Sequence, residues 1–150
     1  MRVALVDHIG ADIIAVKDAE TKNEIKYAIS VKGRNFPDSE SKSTQFDKHN
    51  AEMLADFADS FGMIPAIAFV FTDNMENNQK IRVFLITLDA LNLKADDDSI
   101  SYIKRSKSTG GGYIFNTQGR KNNLLSEIKK DPSIDYTELT MSHFVKDLAI

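Results

Sequence analysis

The sequence predicts a single α/β domain of the α+β type, with a mixed central sheet of about five strands flanked by helices. Three patterns indicate this. Short β-branched runs come first, and one of them alternates strictly between apolar and polar residues. An amphipathic stretch with helical periodicity follows, and then a nearly uniform apolar run of the kind found in strands covered on both faces. A chain of 150 residues fits one domain around one core.

The first element is a strand at Val3–Val6, a short apolar run. A β-hairpin over Gly10–Arg34 comes next. Its first arm, Ile13–Val16, is rich in β-branched residues, and its second arm, Ile25–Lys32, alternates cleanly between the two faces of a strand. We therefore expect the second arm to be covered on one side only.

A helix is predicted over Thr44–Phe61, where apolar residues recur at helical spacing. Ser43 or Thr44 would be its N-cap, and Gly62 would end it. The apolar run Met63–Phe71 then predicts a central, buried strand.

The second half of the chain is less regular. We predict a polar connection over Thr72–Lys80 and a strand over Ile81–Leu88. Further along, the patterns predict two short strands and two short helices, at Ser99–Ile103, Tyr113–Phe115, Asn122–Lys130 and Met141–Leu148.

Composition excludes several classes of protein. There is no cysteine, so neither a disulfide framework nor a thiolate metal site exists. No apolar run of about 18 residues occurs, so we expect no membrane-spanning helix and a cytoplasmic location. The net charge of −3 argues weakly against strong non-specific binding of nucleic acid. Basic residues nevertheless collect between residues 99 and 130.

The residues that carry chemistry lie on the hairpin. Asp12 stands at the start of the first arm, and Ser30 and Lys32 share one face of the second arm because they are two residues apart. A carboxylate at a strand end can hold a hard cation through oxygen. A neighbouring lysine can stabilise negative charge that develops on a phosphate.

The segments GADIIAV and YAISVKGRN, with the helix and buried strand after them, resemble the core of the PD-(D/E)XK nuclease superfamily, the restriction-endonuclease-like fold. That family includes restriction enzymes and archaeal Holliday-junction resolvases. The resemblance covers roughly residues 3–72 and implies the element order αβββαβ. It implies metal-dependent hydrolysis of DNA with Mg²⁺, or alternatively Mn²⁺.

Carried over residue by residue, the resemblance makes Asp12 the metal-binding aspartate and Lys32 the catalytic lysine. Ser30 occupies the position where the family has Asp or Glu, so it is the departure at the catalytic site. Either another residue supplies the second carboxylate or the site binds without cutting. Glu24 and Asp47 are the candidates for a displaced acid.

Other residues receive roles with an open alternative. Asn50 is either a satisfied polar group near the helix start or a residue that reaches the Asp12–Lys32 pair. Basic residues are expected to contact backbone phosphates, or else to form a solvated surface. They are Arg34, Lys104, Arg105, Lys107 and Arg120.

The resemblance also bears on domains and partners. We expect one nuclease-like domain over residues 1–150, with its core at about 3–91 and residues 92–150 as an extension of it. The chain starts almost at its first strand, so the family's first helix is absent, lies outside this sequence, or is replaced by a partner chain. An uncovered apolar sheet face would favour a homodimer. Two alternatives to a DNA nuclease remain: an inactive domain that binds nucleic acid or protein, and a dimeric interaction module with no nucleic-acid role.

Overall fold

The computed structural model describes residues 1–8, 10–35, 43–75, 78–108, 110–118 and 123–140. Within these ranges the helices and strands follow one another in the order β1 (Arg2–His8), β2 (Ala11–Lys17), β3 (Ile25–Asn35), β4 (Ser43–Phe46), α1 (Lys48–Ser60), β5 (Ile64–Met75), β6 (Asn78–Thr87), α2 (Leu88–Ala95), β7 (Ile103–Arg105), β8 (Tyr113–Asn116), α3 (Leu125–Lys130) and β9 (Ile134–Thr140).

The main sheet is six-stranded, with the order β1-β2-β3-β5-β6-β9. The first three strands form an antiparallel meander, and β3 then pairs in parallel with β5 across the α1 crossover. The strands β5, β6 and β9 are again antiparallel neighbours. The predicted mixed sheet with flanking helices is confirmed, although this sheet has six strands where about five were expected.

A second, three-stranded sheet has the order β4-β8-β7. Its strand β4 lies in the chain between β3 and α1, so the chain leaves the main sheet before it enters the helix. The pairing of β4 with β8 places Phe46 opposite Tyr113. Residues from the second half of the chain are therefore in contact with the entry to α1.

The predicted helix over Thr44–Phe61 is confirmed only from Lys48 onward, because Thr44 to Phe46 form a strand. The expected N-cap at Ser43 or Thr44 is also wrong. Asp47 is the cap, and its carboxylate accepts the backbone N–H of Asn50. At the other end Gly62 has a φ of +61°, so it ends the helix as predicted.

The second half of the chain differs more from the prediction. The polar connection expected over Thr72–Lys80 is wrong at both ends, because β5 runs to Met75 and β6 begins at Asn78. The short strand expected over Ser99–Ile103 begins only at Ile103. The helix α2 and the strand β9 were not predicted. The helix predicted over Met141–Leu148 lies outside the described residues.

The two faces of the main sheet differ. One face carries the larger apolar cluster, to which α1, α2, α3 and the second sheet all contribute. The other face, here called the open face, carries a smaller cluster built from strand residues alone. It consists of Ala15, Ile29, Ala66 and Ala68, with Ile13, Tyr27, Val31, Val83 and Leu85 packed around them.

Described residues beyond 92 belong to the same apolar cluster as residues of the first half of the chain. The buried Asp131 carboxylate lies 2.5 Å from the Lys94 ammonium and accepts the Tyr102 hydroxyl at 2.6 Å. Burial disfavours its charged form, but the hydrogen bonds from Lys94, Tyr102 and Ser133 outweigh this and lower the pKa of Asp131 to about 2. These contacts tie α2 to the turn before β9. None of the described helices is long and apolar enough to cross a membrane.

Candidate active site at the Asp12 carboxylate

The site begins where β2 and β3 separate. Their backbone pairing begins with Lys17 opposite Ile25 and ends with Ile13 opposite Ile29. One residue further, the Asp12 side chain takes the place of a backbone partner, and its Oδ2 accepts the Val31 N–H at 2.7 Å. The carboxylate is thereby held against the middle of β3 by a charge-assisted hydrogen bond.

Ser30 lies beside this carboxylate. Its side chain is buried, with the residue 8% exposed, and its Oγ donates to Asp12 Oδ2 at 3.3 Å. Both residues project from the face of the sheet that carries the helices, because Ala28 and Ile14, two positions away on each strand, belong to that cluster. The serine that the resemblance singles out is thus in direct contact with the Asp12 carboxylate.

Gly10 fixes the approach of β2 to this position. Its φ is +111°, and a Cβ at this residue would lie 2.7 Å from the Met53 carbonyl oxygen in the middle of α1. Only glycine allows this contact between backbones. Gly10 was predicted to lie in the hairpin, but its packing on the helix was not predicted.

Lys32 lies above an aromatic side chain that was not predicted to be near the site. Its Nζ is 5.5 Å from the centroid of the Phe46 ring, within the range of a cation–π interaction. Phe46 stacks in turn on Tyr113, and the Arg105 guanidinium lies 5.0 Å from the Tyr113 ring. Lys32 and Arg105 therefore each lie over one ring of a buried aromatic pair, and the Phe46 ring contacts the Lys32 side chain.

The two candidates for a second carboxylate have other partners. Glu24 precedes β3 at the opposite end of the hairpin from Asp12, and its carboxylate pairs with Lys26 at 3.1 Å. Asp47 caps α1, where Oδ1 accepts the Asn50 N–H and Oδ2 accepts its Nδ2–H, both at 2.7 Å. Asn50 is thus a satisfied polar group at the helix start. Among the described residues no three His, Cys, Asp or Glu side chains converge on a common point.

The predicted phosphate contacts separate into different environments. Arg105 donates to both carboxylate oxygens of Asp96, at 2.8 and 2.9 Å, and also to the Gly111 carbonyl and the Asn92 side chain. Its donors are largely used within the protein. Lys107, in contrast, is exposed in the β7–β8 turn.

The remaining basic residues lie on both sheets. Arg34 is exposed near the end of β3, in the main sheet, and Lys104 is half-buried on β7, in the second sheet. Arg120 lies outside the described residues. The described residues that were predicted to contact phosphate therefore come from both sheets.

The donor set suits one divalent cation that keeps most of its water. Mg²⁺ takes six oxygen ligands and is commonly held by one or two carboxylates, with water and substrate phosphate completing the shell. Asp12 supplies one carboxylate, and its Oδ1 has no hydrogen bond within the part of the chain that the structure describes. The residues present therefore fit a single ion with few protein ligands.

The first strands and helix follow one another in the order βββαβ, with β4 inserted before the helix. The order of elements expected from the resemblance is thus confirmed from β1 onward. The chain matches no protein-family model and no curated protein.

A solved structure similar to this one is that of Hjc, a Holliday junction resolvase from the archaeal hyperthermophile Archaeoglobus fulgidus. The identity is 15%, the TM-score is 0.46, and the match covers 76% of this chain and 68% of the resolvase chain. The function of this protein therefore has to be inferred from the geometry of its own site.

Proposed function

We propose that this chain is a nuclease-like domain that hydrolyses phosphodiester bonds of DNA with the help of a divalent cation, Mg²⁺ or Mn²⁺. The observation that carries the proposal is the position of Asp12, at the point where β2 and β3 separate and in contact with Ser30. Lys32 lies two residues beyond Ser30 on the same face of β3, over the Phe46 ring. A carboxylate and an ammonium are thus held on one surface next to the end of a strand pair.

Each residue has a role in this proposal. Asp12 would hold the cation, since its carboxylate is fixed by the Val31 N–H and has a second oxygen available. When bound, the cation would polarise the phosphate and lower the pKa of a water molecule. Lys32 would stabilise negative charge on the phosphate oxygens. Ser30 would keep the Asp12 carboxylate in one orientation.

DNA would be held by basic residues outside the site. Arg34 and Lys107 are exposed, and Lys104 is half-buried, so these three remain in the proposal as phosphate contacts. Arg105 is a poor candidate because Asp96, Asn92 and Gly111 already accept from its guanidinium. A homodimer, which would carry two Asp12 sites, and a cytoplasmic location belong to the same proposal.

Incubation of the purified protein with Mg²⁺ or Mn²⁺ and with duplex, nicked and branched DNA tests this function. We expect cleavage that disappears on chelation and falls by at least about 100-fold in Asp12→Asn and in Lys32→Met. Lys26→Met is the matched control, because Lys26 lies on the same strand near its other end. Cleavage that persists in both site variants would show that the nuclease is elsewhere or is a contaminant.

A second candidate function is binding of DNA without cleavage. It is favoured by Ser30, a hydroxyl at the position where the resemblance implies an acid, and by the lack of any group of three metal-ligating side chains among the described residues. Calorimetric titration with Mn²⁺ separates the two functions. Binding that is lost in Asp12→Asn supports the metal-dependent nuclease, whereas DNA binding with no Mn²⁺ binding supports the inactive domain.

A further inference from the structure

A cleft of about 240 Å³ lies between α1, α2 and the turn that joins β7 to β8. This volume corresponds to about eight water molecules, at about 30 Å³ each. Pockets for drug-sized ligands begin at roughly 300 Å³, so the cleft has room for one ring system and little more. Asp12, Ser30 and Lys32 are not among the residues that line it. The cleft is therefore a feature separate from the site proposed for hydrolysis.

Part of the lining is apolar. Ala51 and Ala55 lie one turn apart on the same side of α1, and Leu88 is the first residue of α2. The Tyr113 ring, which is 4% exposed, belongs to the same lining. Because alanine side chains are short, they leave space in which a flat group can lie against the helix and the neighbouring apolar side chains.

Asn92 presents a hydrogen-bond donor in the cleft. Its Oδ1 accepts from the Tyr113 hydroxyl and, at 3.2 Å, from the Arg105 guanidinium. These two donors fix the orientation of the amide. Its Nδ2 makes no hydrogen bond within the part of the chain that the structure describes, so both of its N–H groups remain available to a ligand.

Lys48 and Glu52 add one charge of each sign to the lining. Their charged groups are 3.7 Å apart, and about 60% of each side chain is exposed. An exposed pair of this kind contributes little to stability, so either charge can exchange its partner for a ligand. Gly111 brings the β7–β8 turn near Lys48, because a Cβ at Gly111 would lie 4.0 Å from Lys48 Cδ.

We propose that this cleft binds one unpaired nucleotide of DNA, with the base against the alanines and the phosphate at Lys48. A base has apolar faces and an edge with donors and acceptors, which match Asn92 and Glu52. A purely apolar ligand would leave these two polar groups without partners. A simple anion would make no use of the apolar lining and would be repelled by Glu52. A nucleotide fits both parts of the lining.

The cleft lies close to the site proposed for hydrolysis, and its assignment to DNA rests on that proposed function. Phe46 connects the two places, since its ring centroid is 5.5 Å from Lys32 Nζ and 6.5 Å from the Tyr113 centroid. Lys32 Nζ and the Tyr113 ring are therefore separated by at most about four base steps, at about 3.4 Å of rise per step in B-DNA. One DNA strand can reach both places.

The state of the DNA follows from the shape of the cleft. A base inside a duplex is paired and covered by its neighbours, so it can enter a pocket only after it leaves the stack. Bases at free ends, gaps and branch points need the least energy for this. We therefore expect the protein to favour DNA with unpaired nucleotides over continuous duplex.

Calorimetric titration of the full chain, without divalent cation, tests the cleft. The probes are deoxynucleoside monophosphates, with inorganic phosphate as the reference. We expect the nucleotides to bind at least about ten-fold more tightly than phosphate. Ala55→Leu fills the cleft and should weaken nucleotide binding by about ten-fold or more. Ala55→Ser is the matched control, since it keeps the space, and should change the affinity by less than about two-fold.

A second variant keeps the cleft open and decides the question if Ala55→Leu does not fold. Lys48→Gln should weaken the binding of nucleoside monophosphates by about three-fold or more, because a charge-assisted contact with the phosphate is lost. It should leave the binding of the corresponding nucleosides unchanged. Lys22→Gln is the control, since Lys22 is exposed in the turn between β2 and β3, and it should affect neither.

Three results would overturn the proposal: no nucleotide binding at millimolar concentration, phosphate binding as tight as nucleotide binding, or nucleotide binding that a folded Ala55→Leu variant retains in full. The Asp12→Asn variant should bind nucleotides like wild type, because Asp12 does not line the cleft. Nucleotide binding by a wild-type protein that does not cut DNA refutes only the nuclease. Cleavage of DNA without nucleotide binding refutes only the cleft.

Discussion

Ser30 Oγ donates a hydrogen bond to Asp12 Oδ2 at 3.3 Å, so the hydroxyl and the carboxylate form one polar pair on the helix-bearing face of the sheet. The pair joins β2 to β3 just beyond the last residues of their ladder. A charged side chain at position 30 would therefore lie next to the Asp12 carboxylate.

A second carboxylate at this position should strengthen metal binding. We expect Ser30→Asp to raise the affinity for Mn²⁺ by about ten-fold or more, because a site with two carboxylates binds divalent cations better than a site with one. Ser30→Asn is the matched control, equal in size but uncharged, and it should give no increase. Calorimetric titration measures both affinities. Equal affinities in the two variants would mean that the cation does not bind beside Asp12.

Without metal, the same Ser30→Asp variant should be less stable than wild type, since two neighbouring carboxylates repel each other. Addition of Mn²⁺ should restore more stability to this variant than to Ser30→Asn. Thermal unfolding with and without the ion measures the difference, and an identical shift in both variants would contradict it.

Gly10→Ala should lower the free energy of unfolding by about 2 kcal/mol or more, because the new Cβ would strike the backbone of Met53 and the residue has a φ of +111°. Gly33→Ala is the matched control on the next strand. A Cβ at Gly33 meets no atom within 4 Å, so the change should lie within about 0.5 kcal/mol of wild type. Urea unfolding measures both values. Similar losses at the two glycines would show that β2 does not pack closely on α1.

Asp131 should make the free energy of unfolding depend on pH in the acid range, below about pH 4. Its pKa is lowered from 3.8 to about 2 in the folded protein, so its contribution is complete above about pH 4 and is lost as the pH falls toward 2. That contribution is on the order of 2 kcal/mol. We expect the free energy of unfolding of Asp131→Asn to fall less steeply over this range than that of wild type. Parallel curves would show that Asp131 keeps an ordinary pKa when folded.

Substitutions at Arg105 and Lys107 should have different effects, the first on stability and the second on DNA binding. Arg105→Gln should lower the free energy of unfolding by about 1 kcal/mol, because hydrogen bonds to Asp96, Asn92 and Gly111 are lost. Its effect on DNA affinity should be small. Lys107→Gln should change the free energy of unfolding by no more than about 0.5 kcal/mol. It should reduce the slope of log DNA affinity against log salt concentration by about one, which corresponds to the loss of one phosphate contact. The reverse pattern would assign the phosphate contact to Arg105.

Much of the first half of the fold was predictable from residue patterns. The alternation over Ile25–Lys32 predicted β3 and its two faces, and this also placed Ser30 and Lys32 on the same side. The boundary between β4 and α1 was not predictable in the same way. Phe46 continues the apolar spacing of the helix, so its position in a strand depends on pairing with β8, far away in the chain.

The candidate site was predictable only in part. Local patterns placed Asp12 and Lys32 on two adjacent strands, as the structure has them, whereas their proposed roles came from the resemblance of the hairpin segments to a nuclease family. The support beneath Lys32 could not, since Phe46 and Tyr113 come together through two strands of a different sheet. The close approach of Gly10 to α1 likewise depends on packing between elements, which leaves no local pattern.

The insertion of β4 before α1 affects the order in which a newly made chain can fold. Residues 1–75 contain Asp12, Ser30, Lys32 and the whole α1 crossover, but β4 pairs with Tyr113–Asn116. A ribosome adds about 5–20 residues per second, so several seconds separate the synthesis of Phe46 from that of its partner strand. During that interval Phe46 lacks its stacking partner Tyr113, so the ring over which Lys32 lies is not yet fixed in position. Residues 1–75 would therefore be made before the site can be complete, and the strand Tyr113–Asn116 would complete it.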